Sequence, residues 1–191
     1  MQTPLPRRIV LAVTGASGIC YAFRLAQVLA EVAELHLIFS DAAEQVMSLE
    51  TDLQSTDFSS LAKRAYTQND LAAPPASGSW IHHGMIVCPC SMASMAAIAG
   101  GLGSNLIHRA ADVTLKEGRP LILVPRETPL NRIHIQNMLS VVDAGAKILP
   151  ATPGFYHRPQ TIDDLVDHIA GKVLDLLGVE HSLFPRWAEN L

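Results

Sequence analysis

Cysteine is scarce. Its three occurrences, Cys20, Cys88 and Cys90, are too few and too irregular for a disulfide framework, and Cys88-Pro89-Cys90 lacks the two-residue gap of a zinc knuckle or thioredoxin-type pair. A reducing, cytoplasmic setting is therefore expected. Cations are scarce as well: 14 Lys and Arg against 18 Asp and Glu give a net charge of −4, and no block of like charge appears. This excludes an electrostatic footprint for nucleic acid or a membrane surface and points to a small-molecule partner. No apolar stretch approaches the roughly 18 residues of a membrane span. The opening MQTPLPRR runs into IVLAVT and stops at Thr14-Gly15 before taking signal-peptide form. The 8 histidines show no HExxH or other ligand spacing, so they read as surface or packing residues and no metal is expected.

Apolar residues, by contrast, make up 49% of 191 residues, enough for one domain with a sizeable core. Four short runs rich in Val, Ile and Leu are bounded by turn residues: Arg8 to Thr14, Glu34 to Ser40, Gly84 to Pro89 and Pro120 to Pro125. Runs of this kind read as strands buried on both faces, and Ala146 to Pro150 is a weaker fifth. Helical spacing falls between them, over Ile19–Glu31, Asp41–Glu50, Met92–Ala99, Asn105–Glu117, Ile133–Asp143 and Ile162–Leu177. The last opens on Thr161-Ile162-Asp163-Asp164, a capping pattern, and ends at Gly178. Alternating strands and helices predict an α/β fold, a parallel sheet with helices on both faces. Thr51 to Trp80 is polar and carries the Pro- and Ser-rich APPASGS, so it reads as a long functional loop with one helix near Ser60 to Tyr66.

The turn VTGASG, residues 13–18, follows the first strand. Gly15, Ala16, Ser17 and the amide of Gly18 would sit at a helix N-terminus, where unpaired N–H groups and the helix dipole favour an anion such as phosphate. A dinucleotide fingerprint would want three glycines, and here there are two, although Asp41 after the second strand keeps that reading open. A plain strand-to-helix turn is the bland alternative. The turn Cys88-Pro89-Cys90-Ser91-Met92-Ala93-Ser94 ends another strand, and the same crevice would gather it. Ser91 also fits a simple N-cap, and both cysteines fit packing better than nucleophilic roles. After the fourth strand, Arg126 and Glu127 are held between prolines, fit to touch a ligand or to form a local ion pair. Arg109 and Lys116 are seven apart on one helix face, with Arg119 just beyond; each alone reads as solvated.

Taken together, GASG after the first strand, SDAA with Glu50 beyond it, PPASGS, VCPCSMAS, RAADVTLKEGRPLILVPRETPL and PATPGFYHRPQTIDDL resemble the flavin prenyltransferases of the UbiX type over essentially the whole chain. The resemblance implies a single-domain, flavodoxin-like or Rossmann-like three-layer sandwich that binds FMN. It implies a homo-oligomer, a dodecamer, with the tail from about residue 178 in subunit contacts. The implied reaction transfers a dimethylallyl group from dimethylallyl phosphate to N5 and C6 of reduced FMN without a metal. Its product, prenylated FMN, serves a partner decarboxylase of the UbiD type, for instance in ubiquinone biosynthesis; older names called such proteins decarboxylases themselves.

Carried over position by position, Gly15, Ala16, Ser17, Ser40, the Ser91-Met92-Ala93-Ser94 turn and Arg126 match the family's flavin contacts. Arg109, Lys116, Tyr156 and Lys172 match the positions that hold the donor phosphate, and Ser17, Glu50 and Glu127 match polar groups beside the flavin's reactive edge. An allylic phosphate leaves readily when cations meet its growing charge, and ring closure must shed a proton, for which Glu127, Glu50 or the released phosphate is a candidate. Trp80 and Trp187 are the rings available for a dry allylic pocket, or else pack in the chain or between subunits. Ile19 and Cys20, and Lys172 where some relatives have Arg, depart from the family pattern. Two alternatives are a peptidyl-cysteine-type flavin decarboxylase, whose Pro-x-Met-Asn-x-x-Met signature is missing apart from a partial echo in His134 to Met138, and a non-catalytic FMN carrier. The set Glu50, Glu127, Arg109 and Lys116 argues against the carrier.

Overall fold

The computed structural model describes residues 7–187. Six parallel strands, β1 (Arg8–Val13), β2 (Glu34–Phe39), β3 (Arg64–Thr67), β4 (Met85–Cys90), β5 (Leu121–Pro125) and β6 (Lys147–Ile148), form one sheet in the order β3-β2-β1-β4-β5-β6. Seven helices cover it: α1 (Ile19–Val32), α2 (Asp41–Glu50), α3 (Ser55–Leu61), α4 (Met92–Ala99), α5 (Leu106–Lys116), α6 (Arg132–Asp143) and α7 (Ile162–Leu177). This is the three-layer α/β sandwich expected from the sequence, in the doubly wound strand order.

Strand alternation sorts the core into two halves. Ile9, Leu11 and Val13 of β1 face a cluster built with α1, α2, α3 and α7, whereas Val10 and Ala12 face one built with α4, α5 and α6. The helices present matching stripes: in α1 the buried residues are Ile19, Ala22, Leu25, Ala26 and Leu29, one face at helical spacing. At α7 the Thr161 hydroxyl accepts from the Asp164 amide and the Asp164 carboxylate accepts from the Thr161 amide, the reciprocal box the sequence predicts, and the helix ends at a left-handed Gly178.

The stretch from Thr51 to Trp80 corrects the sequence reading. The expected helix near Ser60 to Tyr66 is instead α3, ending at Leu61, followed by the edge strand β3. Only Tyr66 of that strand is buried, so its four residues show no apolar run. The PPASGS segment forms a single 3-10 turn at Pro74–Ala76 that rests on α5, where Arg109 donates to the Ala76 carbonyl and Arg119 to those of Gly78 and Trp80. No helix among the described residues is long and apolar enough to cross a membrane.

Candidate active site

Strand order reverses between β1 and β4, and in such sheets the ligand crevice opens at the carboxyl ends of the strands flanking that point. Those ends carry the VTGASG turn and the Ser91 turn. One side chain, which the sequence left unremarked at the end of a strand, joins them: the buried Thr14 hydroxyl donates to the Pro89 carbonyl at 2.7 Å and accepts from the Ser91 amide at 2.8 Å. The β1–β4 register runs only as far as Ala12–Val87, and the neighbouring β4–β5 register shifts between Val87 and Cys90, so Thr14 fixes the two turns beyond the end of the regular β1–β4 pairing. Nothing local in the sequence signals a bond across 77 positions.

Gly15 sets how closely the first turn approaches α2. A Cβ built there would lie 2.4 Å from the Ala42 Cβ, so a side chain would push the turn off the helix. Gly18 has φ 116°, a conformation in which a side chain is strained.

The structure corrects the expected use of the Gly18 amide. An anion does sit at the N-terminus of α1, and it is the chain's own: Glu50 Oε2, at the end of α2, accepts from the amides of Gly18 at 2.9 Å and Ile19 at 3.2 Å. Burial raises the Glu50 carboxyl, but donation by the Ser17 side chain and by these amides, with the Arg126 charge nearby, outweighs it and holds the group below the ordinary carboxylate value. Glu50 is thus ionised at neutral pH. Arg126 also reaches across β4, donating from Nε to the Ser17 carbonyl at 3.3 Å. Ser17, Glu50 and Arg126, nominated separately by the sequence, therefore form one cluster.

A bound anion must then use other donors. Among the described residues the Gly15 and Ser17 amides donate to no protein acceptor. Met92 and Ala93 open α4, where first-turn amides have no partner within the helix. These groups, with Arg126, suit a phosphate-bearing cofactor such as FMN. Ser40 and Ser91 are N-caps, accepting from the amides of Ala43 at 3.0 Å and Ser94 at 3.2 Å. Ser91 also donates to the Ser94 hydroxyl. Glu127 is exposed beyond β5, with one carboxylate oxygen accepting from the Thr128 amide at 2.9 Å.

The four residues expected at the donor phosphate are divided. Arg109 and Lys116 lie on α5, on one face of the sheet, paired with Asp112 and Glu117 at 2.8 Å each. Lys172 lies on α7, on the other face, at 3.2 Å from Asp175, and Tyr156 in the segment before it meets His168. No hydrogen bond or ion pair joins the two sets among the described residues. Trp80 leaves the candidate pocket: it packs edge-on to His36 at 4.7 Å and under Arg8, and Arg8 and Glu34 begin β1 and β2, at the opposite ends of the strands from the crevice. Trp187 is 73% exposed and lies edge-on to Tyr156 at 5.3 Å. Val179 and Phe184 of the tail are buried in the chain itself. Cys88 and Cys90 are packing residues; burial pushes the Cys90 thiol up to about 12 and raises that of Cys88 well above the ordinary thiol value, so neither is a nucleophile near neutral pH.

Comparison with known proteins decides the family. The Flavoprotein family profile matches residues 2–174. Flavin prenyltransferase UbiX of Pseudomonas aeruginosa is 48% identical over 200 aligned residues, covering 97% of this chain and 96% of the relative. The chain belongs to the UbiX-type flavin prenyltransferase family. Among solved structures, AnUbiX (PadA1) in complex with FMN and dimethylallyl pyrophosphate superposes with a TM-score of 0.94 at 46% identity, covering 95% of this chain and 97% of that one. A dodecameric FMN-dependent Ubix-like decarboxylase from Escherichia coli O157:H7 superposes with a TM-score of 0.92 at 43% identity over 94% and 98% of the two chains. Membership of the UbiX family sets aside both the peptidyl-cysteine-type decarboxylase and the simple carrier.

Proposed function

We propose that the chain carries out its family's reaction, transferring a dimethylallyl group from dimethylallyl phosphate to N5 and C6 of reduced FMN. The observation that supports this most strongly is the Ser17–Glu50–Arg126 cluster at the switch point, in which the chain's own carboxylate fills the α1 N-terminus and leaves neighbouring amides for a ligand. Reduced FMN, when bound, supplies the nucleophilic nitrogen and carbon. Gly15, Ala16, Ser17, Ser40, the Ser91 to Ser94 turn and Arg126 hold it. Glu50 fixes the Ser17 turn and keeps a negative charge beside the site. The proton goes to Glu127, because Glu50 is committed to two amides and its carboxyl is held below the ordinary carboxylate value. Arg109, Lys116, Tyr156 and Lys172 hold the donor phosphate and meet the charge that grows as it leaves.

The division of those four residues between the two sheet faces favours a site completed by a second copy, α5 of one chain meeting α7 and the Tyr156 segment of its neighbour. The exposed Trp187 serves the same contact. The dodecameric relative supports this assembly for the present chain. A UbiD-type decarboxylase as recipient of the product, and a cytoplasmic location, complete the reading.

The test is anaerobic incubation with reduced FMN and dimethylallyl phosphate, followed by mass spectrometry of the released flavin. A flavin heavier by one prenyl unit is expected; unmodified FMN with no inorganic phosphate released would refute the assignment. Glu127→Gln should keep the flavin and slow turnover by about 100-fold, the lower end for a lost general base. An unchanged rate removes Glu127 from the mechanism.

A further inference from the structure

The segment before α7 holds an arrangement that the flavin cradle does not use. The Tyr156 hydroxyl lies 3.1 Å from Nε2 of His168, a buried residue of α7. The other ring nitrogen, Nδ1, receives the backbone N–H of Gly154 at 3.3 Å. An amide N–H can only donate, so Nδ1 is the acceptor and the neutral ring carries its proton on Nε2. That proton is donated to the Tyr156 oxygen. The phenolic proton is then free to point away from His168, toward the exposed side of the ring.

Several contacts lock this orientation. His168 stacks on His157 with centroids 5.1 Å apart and planes within 8°, and Phe184 of the tail packs on it at 4.9 Å. A Cβ at Gly154 would fall 2.9 Å from the Tyr156 ring and 3.4 Å from that of His168, so glycine is what lets both rings seat against the backbone. Burial lowers the His168 pKa, and the neighbouring His157 and Lys172 charges lower it further, so the ring stays neutral at neutral pH and keeps its accepting nitrogen.

We propose that His168 is a positioning residue for the prenyl donor: it holds the Tyr156 hydroxyl as a hydrogen-bond donor, the polarity a phosphate oxygen requires. A phosphate offers only acceptors at neutral pH, and a hydroxyl whose proton was spent on a histidine would repel it. His168 itself touches neither phosphate nor flavin. The inference rests on the assignment of Tyr156 to the donor phosphate made above.

The test is a double-substitution cycle, Tyr156→Phe, His168→Phe and the pair, assayed for KM of dimethylallyl phosphate, for kcat and for FMN affinity. Each single change should raise the donor KM about 5- to 10-fold, the value of one hydrogen bond, and lower kcat as well, since the same hydroxyl meets the charge on the leaving phosphate, with FMN binding unchanged. The double variant should be no worse than Tyr156→Phe alone, because His168 acts only through that hydroxyl. His168→Gln, which keeps an N–H donor, should recover most of the affinity. A wild-type KM in His168→Phe, or losses that multiply in the pair, overturns the inference while leaving Tyr156 at the phosphate. A wild-type KM in Tyr156→Phe instead removes Tyr156 from the phosphate, and the inference falls with it. Nitrogen-15 NMR of the unsubstituted, histidine-labelled protein reads the tautomer with no substitution at all: a proton on Nε2 of His168 is expected, and one on Nδ1 overturns the proposal even where His168→Phe fails to fold.

Discussion

Thr14→Val probes the joint between the two halves of the crevice. Valine keeps the shape and β-branching of threonine but replaces the hydroxyl with a methyl group. Two hydrogen bonds are lost, at 2.7 Å to the Pro89 carbonyl and 2.8 Å from the Ser91 amide. Pro89 keeps a partner, since the Thr14 amide also donates to its carbonyl at 3.3 Å; the Ser91 amide has none left. At about 1 kcal/mol per bond, with an added cost for a stranded donor, the expected loss is about 2–3 kcal/mol per chain. For a chain of this size that is a fall of roughly 4–12 °C in Tm. The measurement is thermal and urea unfolding of the flavin-free protein at fixed protein concentration, since assembly contributes to apparent stability. The same variant should bind FMN about tenfold more weakly, because the amides of Gly15, Ser17, Met92 and Ala93 are no longer held in register. Thr14→Ser, which retains the hydroxyl, is the control and should lose less than about half as much. A valine variant within about 0.5 kcal/mol of wild type and with unchanged FMN affinity would show that the two turns are fixed by something else.

Two further substitutions test neighbouring parts of the site. Glu50 has its carboxyl lowered by folding, so it contributes stability that is fully present above the unfolded carboxylate pKa, near 4.3, and is lost as pH falls through the folded value. Glu50→Gln should therefore lower stability at pH 7 and flatten the loss seen in wild type below about pH 4.3; denaturant midpoints between pH 3 and 7 that run parallel in the two proteins would disprove it. Gly15→Ala should fold yet lose most of its FMN affinity, because the new Cβ falls 2.4 Å from that of Ala42 and the turn must move; titration with FMN showing wild-type affinity would contradict this.

The central strands and most helices were legible because a strand buried on both faces has an unmistakable composition, as in VLAV and LILV. β3 was not, because an edge strand of four residues with one buried side chain looks like loop, and its neighbours are polar. The site was legible as parts. Ser17, Arg126 and Glu50 could each be nominated, but that Glu50 caps α1 from 32 positions away depends on how α2 packs. Thr14 gave no signal because a threonine closing a strand is ordinary. Trp80, open in the sequence between an allylic pocket and packing, could not be placed by its neighbourhood: it follows the PPASGS segment in sequence yet folds back beneath Arg8 at the amino ends of the strands. Likewise, the separation of Lys116 from Lys172 follows from which sheet face each helix covers, a property of topology that spacing along the chain does not encode.

That separation has a genetic corollary under the proposed assembly. Each chain lends its α5 cations to one reaction centre and its α7 residues to another, so a point defect in one copy of a mixed assembly injures one of the two centres that copy serves and spares the other. A cell carrying one α5 defect and one α7 defect would still build some centres in which both contributing halves are sound.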